Sequence, residues 1–163
     1  MFSLFKKKNM EGVSELRAYL SGRAVPIEEV PDQVFSAKIM GDGIAIWPSS
    51  STVVAPADGE ITAVMEDSKH ALGMKLKNQM ELFLHVGLDT MDMRGDGFKV
   101  HVKLGEKVKA GAPLFSFDKE KIEAAGHPAI TILAVTDEGS AKDIRYHTGI
   151  QVVAGETVIA TIE

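Results

Sequence analysis

Short apolar stretches separated by glycine-containing turns constrain this chain more than any other feature. Glycine adopts positive φ angles at little cost, so the three Gly–Asp-rich segments at 41–43, 57–59 and 95–97 are predicted to be turns. Strands are predicted between and beyond them, at 43–47, 52–55, 60–65, 99–103, 113–117, 129–135 and 157–162. Many short strands at close spacing indicate an all-β fold, an antiparallel β-sandwich or distorted barrel.

A weak internal repeat indicates that the sandwich has two pseudo-symmetric halves. Residues 105–115 and 149–159 both read G-x-x-V-x-A-G-x-x, followed by apolar residues. Helical sequence is scarce, and we expect one or two short helices. The best candidate runs from Lys119 to Ala125, with Asp118 as N-cap and Gly126 as the stop.

Composition narrows the classes of function. The chain has 163 residues, 45% of them hydrophobic and 25% charged, as in one ordinary globular domain. A net charge of −5 argues against a nucleic-acid partner. With no cysteine, there is no disulfide, thiolate nucleophile or thiolate zinc site. We expect a flexible leader at 1–21, with weak membrane association at most through Met1–Lys8, and one domain at 22–163.

The stretch from residue 81 to 90 alternates in the manner of a half-buried strand. One face carries Leu82, Leu84, Val86 and Leu88, and the other carries Glu81, Phe83, His85, Gly87 and Asp89. A histidine therefore stands on the outward face beside an aromatic ring and a carboxylate. A second histidine, His70, lies fifteen residues upstream, and an intervening hairpin would bring the two together.

This arrangement favours a phosphoryl acceptor. A neutral imidazole can act as a nucleophile when one ring nitrogen has a free lone pair and the N–H of the other donates to a carbonyl, such as that of Gly87. A second imidazole can balance the phosphoryl charge, and Phe83 offers an apolar docking point. We therefore predict that His85 accepts a phosphoryl group and passes it on. The remaining histidines, His101, His127 and His147, are interpreted as structural.

Residues 82–90 closely resemble the active-site signature of the glucose-type enzyme IIA of the bacterial phosphoenolpyruvate-dependent sugar phosphotransferase system. Further blocks match in order at 31–35, 38–46, 54–59, 68–71 and 95–99, so that the resemblance covers roughly residues 22–163. It implies a sandwich with two related halves and no cofactor. Because the chain begins with methionine and a short leader, we expect a free-standing cytoplasmic protein. We also expect a monomer.

The resemblance also implies roles for individual residues. His85 corresponds to the histidine that is phosphorylated on Nε2, and His70 to the auxiliary histidine that donates to the phosphoryl group. Ser68 stands where the family often has a threonine that orients the second imidazole. The implied partner-binding surface comprises Asp32, Phe35, Ile39, Met40, Ile44, Met65, Phe83 and Asp89. No metal is required, although His70 and His85 are candidate zinc ligands together with a partner's carboxylate.

The implied reaction is a two-step relay. The histidine phosphocarrier protein HPr delivers its phosphoryl group to His85, which gives it to a cysteine on the IIB domain of a sugar permease. The sugar never contacts this domain, so the sequence does not identify it. Regulation of other proteins according to phosphorylation state remains an open alternative, since new charge beside Phe83 and Ile39 would change what that surface binds.

Two other classes of protein fit the sequence less well. A zinc metallopeptidase of lysostaphin type would use His70, His85 and Asp89, but that family's H-x-H pair is absent and no signal peptide is visible. A biotinyl or lipoyl carrier domain would modify Lys75. That lysine lies in an alternating run, 72–76, and an exposed strand lysine explains it better.

Overall fold

The computed structural model describes residues 12–163, which form mainly β-strands. The strands are β1 Glu15–Arg17, β2 Gly22–Pro26, β3 Gly43–Pro48, β4 Thr52–Val54, β5 Gly59–Val64, β6 Ala71–Leu76, β7 Glu81–Val86, β8 Phe98–Val100, β9 Lys107–Val108, β10 Pro113–Phe117, β11 Thr131–Asp137, β12 Ile144–Tyr146, β13 Ile150–Val152 and β14 Val158–Ile162. The α-helices of this part of the chain are α1 Gln33–Ser36 and α2 Lys119–Ala124, and 3-10 turns lie at Ile27–Glu29 and Thr90–Met93. None of its helices has the length and apolar character needed to cross a membrane.

The strands form three antiparallel sheets. The largest has eight strands in the order β13-β2-β3-β11-β7-β6-β5-β9, and the two smaller sheets have the orders β1-β14-β12 and β4-β10-β8. The sheets pack as a sandwich and do not close into a barrel. The predicted all-β class is therefore confirmed.

The predicted pseudo-symmetry is visible in reciprocal backbone hydrogen bonds. Arg17 N donates to Pro56 O at 2.9 Å, and Val54 N donates to Tyr19 O at the same distance, so equivalent strands exchange equivalent bonds. The two sequence repeats attach in the same way, since the first glycine of each donates at 2.8 Å to a strand of the large sheet. These bonds are Gly105 N to Ile61 O and Gly149 N to Ala24 O.

The folded domain begins earlier than predicted. Strand β1 pairs with β14, and Leu16, Tyr19 and Leu20 are fully buried. The Tyr19 hydroxyl donates to the carbonyl of Thr131 at 2.8 Å. The predicted flexible leader is therefore wrong for residues 15–21, which belong to the folded domain. The predicted membrane contact at Met1–Lys8 lies outside the described residues.

The predicted helix near residue 120 is confirmed with its caps. Helix α2 ends one residue before the predicted end, and the Asp118 carboxylate accepts a hydrogen bond from Lys121 N at 3.2 Å. Gly126 follows with a φ of 86°, a left-handed conformation that glycine adopts without steric cost. This helix leads into the segment that borders the candidate site.

Two apolar clusters lie on opposite faces of the large sheet. Leu82, Leu84 and Val86 point into the larger cluster, as the alternation predicts. The smaller cluster comprises Val25, Ile27, Val30, Phe35, Ala45, Leu88, Ile130 and Ile132. The register pairs Val25 with Ala45, Ala45 with Ile132 and Ile132 with His85. Residues paired across strands share a face, so His85 lies on the side of the smaller cluster.

Candidate functional site

A β-hairpin brings the two predicted histidines together. Strands β6 and β7 pair with Ala71 opposite His85, and Val86 N donates to His70 O at 2.8 Å. The imidazoles meet edge to face, with ring centroids 4.6 Å apart and planes at 89°. The predicted juxtaposition is thus present.

His70 is the more deeply buried of the pair. Its side chain is held by Ser68, whose Oγ lies 2.7 Å from His70 Nδ1, and the residue is only 2% exposed. Burial lowers the pKa of His70. When the serine hydroxyl donates to Nδ1, the single ring proton resides on Nε2. This contact is the one expected of a residue that orients the second imidazole.

His85 is half-buried between two aromatic rings. Its centroid lies 5.0 Å from that of Phe35 and 5.9 Å from that of Phe83. Desolvation, and secondarily His70, lowers the pKa of His85 to about 4, against the opposing effects of the Gly87 backbone and Asp32. The ring is therefore neutral near pH 7 and can act as a nucleophile.

The two ring nitrogens of His85 differ in environment. Nδ1 is buried and makes no hydrogen bond of normal geometry within residues 12–163. The interaction with the Gly87 backbone raises the pKa of His85, as expected if a carbonyl lies near a ring N–H, but the full hydrogen bond predicted from the sequence is not formed. Nε2 is thus the nitrogen with access to the solvent-facing side.

The turn after β7 is fixed by Gly87 and Thr90. Gly87 has a φ of 73°, and a Cβ atom there would lie 2.5 Å from Thr90 Cγ2. The buried Thr90 hydroxyl donates to Val86 O at 2.6 Å, while Gly87 N donates to Ile130 O at 2.9 Å. The backbone next to His85 is therefore rigidly placed. Sequence reasoning did not single out Thr90, although it closes the signature.

The histidines open into a broad depression of about 840 Å³. Six of the predicted partner-binding residues line it, namely Asp32, Phe35, Met40, Met65, Phe83 and Asp89. In the described part of the chain, the lining contains carboxylates but no lysine or arginine. The surface therefore combines apolar side chains with negative charge around the pair of imidazoles.

Two residues of the predicted partner-binding surface, Ile44 and Ile39, do not line the depression. Ile44 is fully buried in the larger cluster, so its assignment to the partner-binding surface is wrong. The register explains the error, because Ile44 pairs with Leu133 whereas His85 pairs with Ile132. Adjacent strand residues face opposite sides of a sheet. Ile39 is 70% exposed but does not line the depression, and its contact with a partner stays a prediction.

Sequence reasoning missed five lining residues: Val34, Thr90, Met91, Asp92 and His127. Met91 and Val34 are 63% and 44% exposed, so they add accessible apolar surface to the depression. His127 Nε2 lies 2.8 Å from Asp92 Oδ1. This pairing joins residues 35 positions apart, so only the fold reveals it.

Within residues 12–163, the residues that a metallopeptidase or a carrier domain would use do not form the corresponding site. Within residues 12–163, His70, His85 and Asp89 belong to no group of three or more side chains able to hold a metal ion. Lys75 lies inside β6 opposite Glu81, unlike the turn lysine of a carrier domain. His101 contacts Ser116 Oγ at 2.6 Å, outside the depression. The metallopeptidase and carrier interpretations therefore gain no support.

The depressed pKa of His85 predicts acid sensitivity. Between the ordinary value of 6.5 and the folded value of about 4, the unfolded chain binds a proton that the folded chain does not. The contribution of His85 should therefore lower the stability as pH falls through this window, and this contribution should level off below it. His85→Gln should remove about 2 kcal/mol of the loss between pH 7 and pH 5. Urea unfolding of both proteins at the two pH values measures this, and equal losses would contradict it.

Comparisons with known proteins agree on one family. Residues 14–141 match the model of the phosphoenolpyruvate-dependent sugar phosphotransferase system, EIIA 1. The chain is 42% identical over 162 residues to the PTS system glucose-specific EIIA component of Bacillus cereus, covering 99% of this chain and 96% of that protein. It is 44% identical over 145 residues to the glucose-specific EIIBCA component of Corynebacterium glutamicum, covering 89% of this chain but 21% of that longer protein.

A solved structure supports the same assignment. The glucose permease IIA from Mycoplasma capricolum superposes with a TM-score of 0.81 at 32% sequence identity. The match covers 90% of this chain and 93% of that one. The sandwich, including the β6–β7 hairpin beside the two histidines, is therefore that of a known fold.

Proposed function

This chain belongs to the phosphoenolpyruvate-dependent sugar phosphotransferase system EIIA 1 family, and we propose that His85 accepts a phosphoryl group from phospho-HPr and gives it to a cysteine of a IIB domain. One observation carries the proposal. His85 is a neutral imidazole whose Nδ1 is buried while Nε2 faces a depression, directly beside a second imidazole.

The chemistry is a pair of displacements at phosphorus. In the first, the Nε2 lone pair of His85 attacks the phosphoryl group, the P–N bond to the HPr histidine breaks, and that imidazole leaves with the bonding electrons. In the second, a cysteine thiolate attacks and the His85 imidazole leaves. Each step exchanges one nucleophile for another and needs no redox partner.

His70 supplies the positioned donor for this transfer. Ser68 Oγ lies 2.7 Å from Nδ1 of His70, and in the tautomer in which the hydroxyl donates to Nδ1, His70 presents Nε2–H beside the ring that is to be phosphorylated. Such a donor offsets charge on the phosphoryl oxygens without reorganisation. Burial of His70 keeps its orientation fixed.

The apolar surroundings have a protective function. Phe35, Phe83 and Met65 line the depression around His85. A partner that covers these side chains excludes water, so the phosphoryl group passes between proteins instead of being hydrolysed. The apolar part of the depression is thus the contact surface for both partners.

The relatives support the choice of acceptor. In the EIIBCA component of Corynebacterium glutamicum, the part similar to this chain belongs to the same polypeptide as the segments named B and C. An acceptor IIB domain is therefore a natural partner. The proposed relay implies a cytoplasmic location, where phospho-HPr is available, and a monomer is sufficient for it. Regulation of other proteins by the phosphorylation state would use the same surface.

The test is intact-mass spectrometry after incubation with phosphoenolpyruvate, enzyme I and active HPr. One acid-labile phosphoryl group per chain is expected, and omission of HPr should prevent its appearance. No added mass, with HPr itself shown to be phosphorylated, would contradict the proposal.

A further inference from the structure

A hydrogen-bonded pair on the rim of the depression carries an inference about how this chain selects its phosphoryl donor. We propose that His127 restrains the carboxylate of Asp92 and thereby weakens docking of a phosphoryl donor that presents Lys or Arg beside its phosphorylated residue. The inference rests on the proposed function, because it concerns the affinity of the same depression for phospho-HPr.

The geometry of the pair defines which atom holds the proton. His127 Nε2 lies 2.8 Å from Asp92 Oδ1. An ionised carboxylate only accepts hydrogen bonds, so Nε2 of His127 must carry the hydrogen and donate it. The His127 side chain is only 14% exposed, whereas that of Asp92 is 68% exposed. A largely fixed donor thus holds an otherwise accessible acceptor.

The backbone keeps this donor in place. His127 N donates to Ile122 O at 3.1 Å, at the end of α2. The next residue, Pro128, accepts from Leu88 N at 3.1 Å, which ties the segment to the turn after β7. Asp92 lies in the 3-10 turn Thr90–Met93 that follows the same turn. The pair therefore bridges two segments that border His85.

The charges of the rim indicate what would compete for Asp92. Among residues 12–163, the depression is lined by Asp32, Asp89 and Asp92, and by no lysine or arginine. Asp32 is already engaged in part, since its carboxylate accepts from Val34 N at 2.9 Å. A cationic partner complements such a surface. A lysine or arginine of the donor that reaches Asp92 must displace or share the hydrogen bond from His127.

The partner of the Asp92 carboxylate among the described residues is His127. Lys121, a basic residue of α2, pairs instead with Asp96 at 2.9 Å. Removing the His127 donor should leave an exposed carboxylate for the incoming partner.

The experiment measures the kinetics of phosphoryl transfer from phospho-HPr. His127→Asn retains a polar side chain that is too short to reach Asp92, and we expect it to lower KM about threefold with kcat unchanged. His127→Ala should do the same. His127→Gln places an amide near the position of Nε2 and should keep the KM of the wild type. Affinity in the Asn variant should also depend more steeply on salt.

Controls identify the cause of any change. In an Asp92→Asn background, His127→Asn should have no further effect on KM, because the carboxylate that it frees is absent. The ring of His101 lies outside the depression, so His101→Ala should have the KM of the wild type. Thermal melting of every variant checks folding, and the His127→Gln and Asp92→Asn proteins give the comparison even if the alanine variant is destabilised.

The outcomes separate this inference from the proposed function. If wild type is phosphorylated but His127→Asn has an unchanged or higher KM, the inference is overturned and the relay stands. The inference is equally overturned if the effect persists without the Asp92 carboxylate. If wild type accepts no phosphoryl group from active phospho-HPr, both are overturned.

Discussion

Replacing His85 with alanine is expected to abolish phosphorylation of the chain by phospho-HPr, with a loss of more than about a thousandfold in rate. The variant lacks the nucleophilic nitrogen, and no other described imidazole except His70 contacts the same ring. Intact-mass spectrometry over a time course measures the loss. Peptide mapping of the wild type should locate the phosphoryl group on His85.

The matched control is His101→Ala, which removes an exposed histidine that contacts Ser116 on another part of the sandwich. It should accept phosphate at the rate of the wild type. Full labelling of His85→Ala at another residue would assign the acceptor role elsewhere and refute the proposed role of His85.

Replacing His70 with alanine is expected to leave phosphorylation possible while slowing transfer to a IIB domain by about a hundredfold. The variant keeps the nucleophile but loses the donor that faces it across 4.6 Å between ring centroids. Single-turnover transfer from the purified phospho-protein to the IIB domain gives the rate. The transfer rate of Ser68→Ala should lie between those of the wild type and His70→Ala, because this variant loses only the hydroxyl that contacts Nδ1 of His70.

A graded response distinguishes orientation from simple loss of packing. Ser68→Thr restores the hydroxyl and should recover the rate that Ser68→Ala loses. If His70→Ala transferred as fast as the wild type, the second imidazole would have no part in the reaction. If it accepted no phosphate at all, His70 would be needed for the first step as well, contrary to the prediction.

The strand that carries His85 could be predicted because it borders two different environments. Leu82, Leu84 and Val86 face the larger cluster while Phe83 and His85 face the depression. This produces a clear period of two in the sequence. The helix at 119–124 could be predicted equally well, because its capping residues are local sequence signals.

The sequence pattern could not predict which face of the sheet each side chain of β3 occupies. It is covered on both sides, with Ile44 and Ile46 in the larger cluster and Ala45 in the smaller one. A strand buried on both faces has no alternation of polar and apolar residues. The face of Ile44 was therefore not readable from its neighbours, and the resemblance alone placed it on the surface.

Long-range pairing accounts for the other differences. Strand β1 has only three residues and pairs with β14, near the opposite end of the chain. The sequence of residues 15–21 contains no local pattern that indicates pairing with β14. The contact between His127 and Asp92 spans 35 residues, and the hydrogen bond from Leu88 N to Pro128 O joins their segments. Sequence patterns identify faces, whereas the fold decides which faces meet.

The relay itself is tested most directly by following one phosphoryl group from this chain to its acceptor. Purified protein phosphorylated on His85, freed of enzyme I and HPr, would be mixed with a IIB domain and the masses of both followed in time. We expect this chain to lose one phosphoryl group as a cysteine of the IIB domain gains one. Retention of phosphate on His85, or its release as inorganic phosphate without labelling of the IIB domain, would contradict the relay.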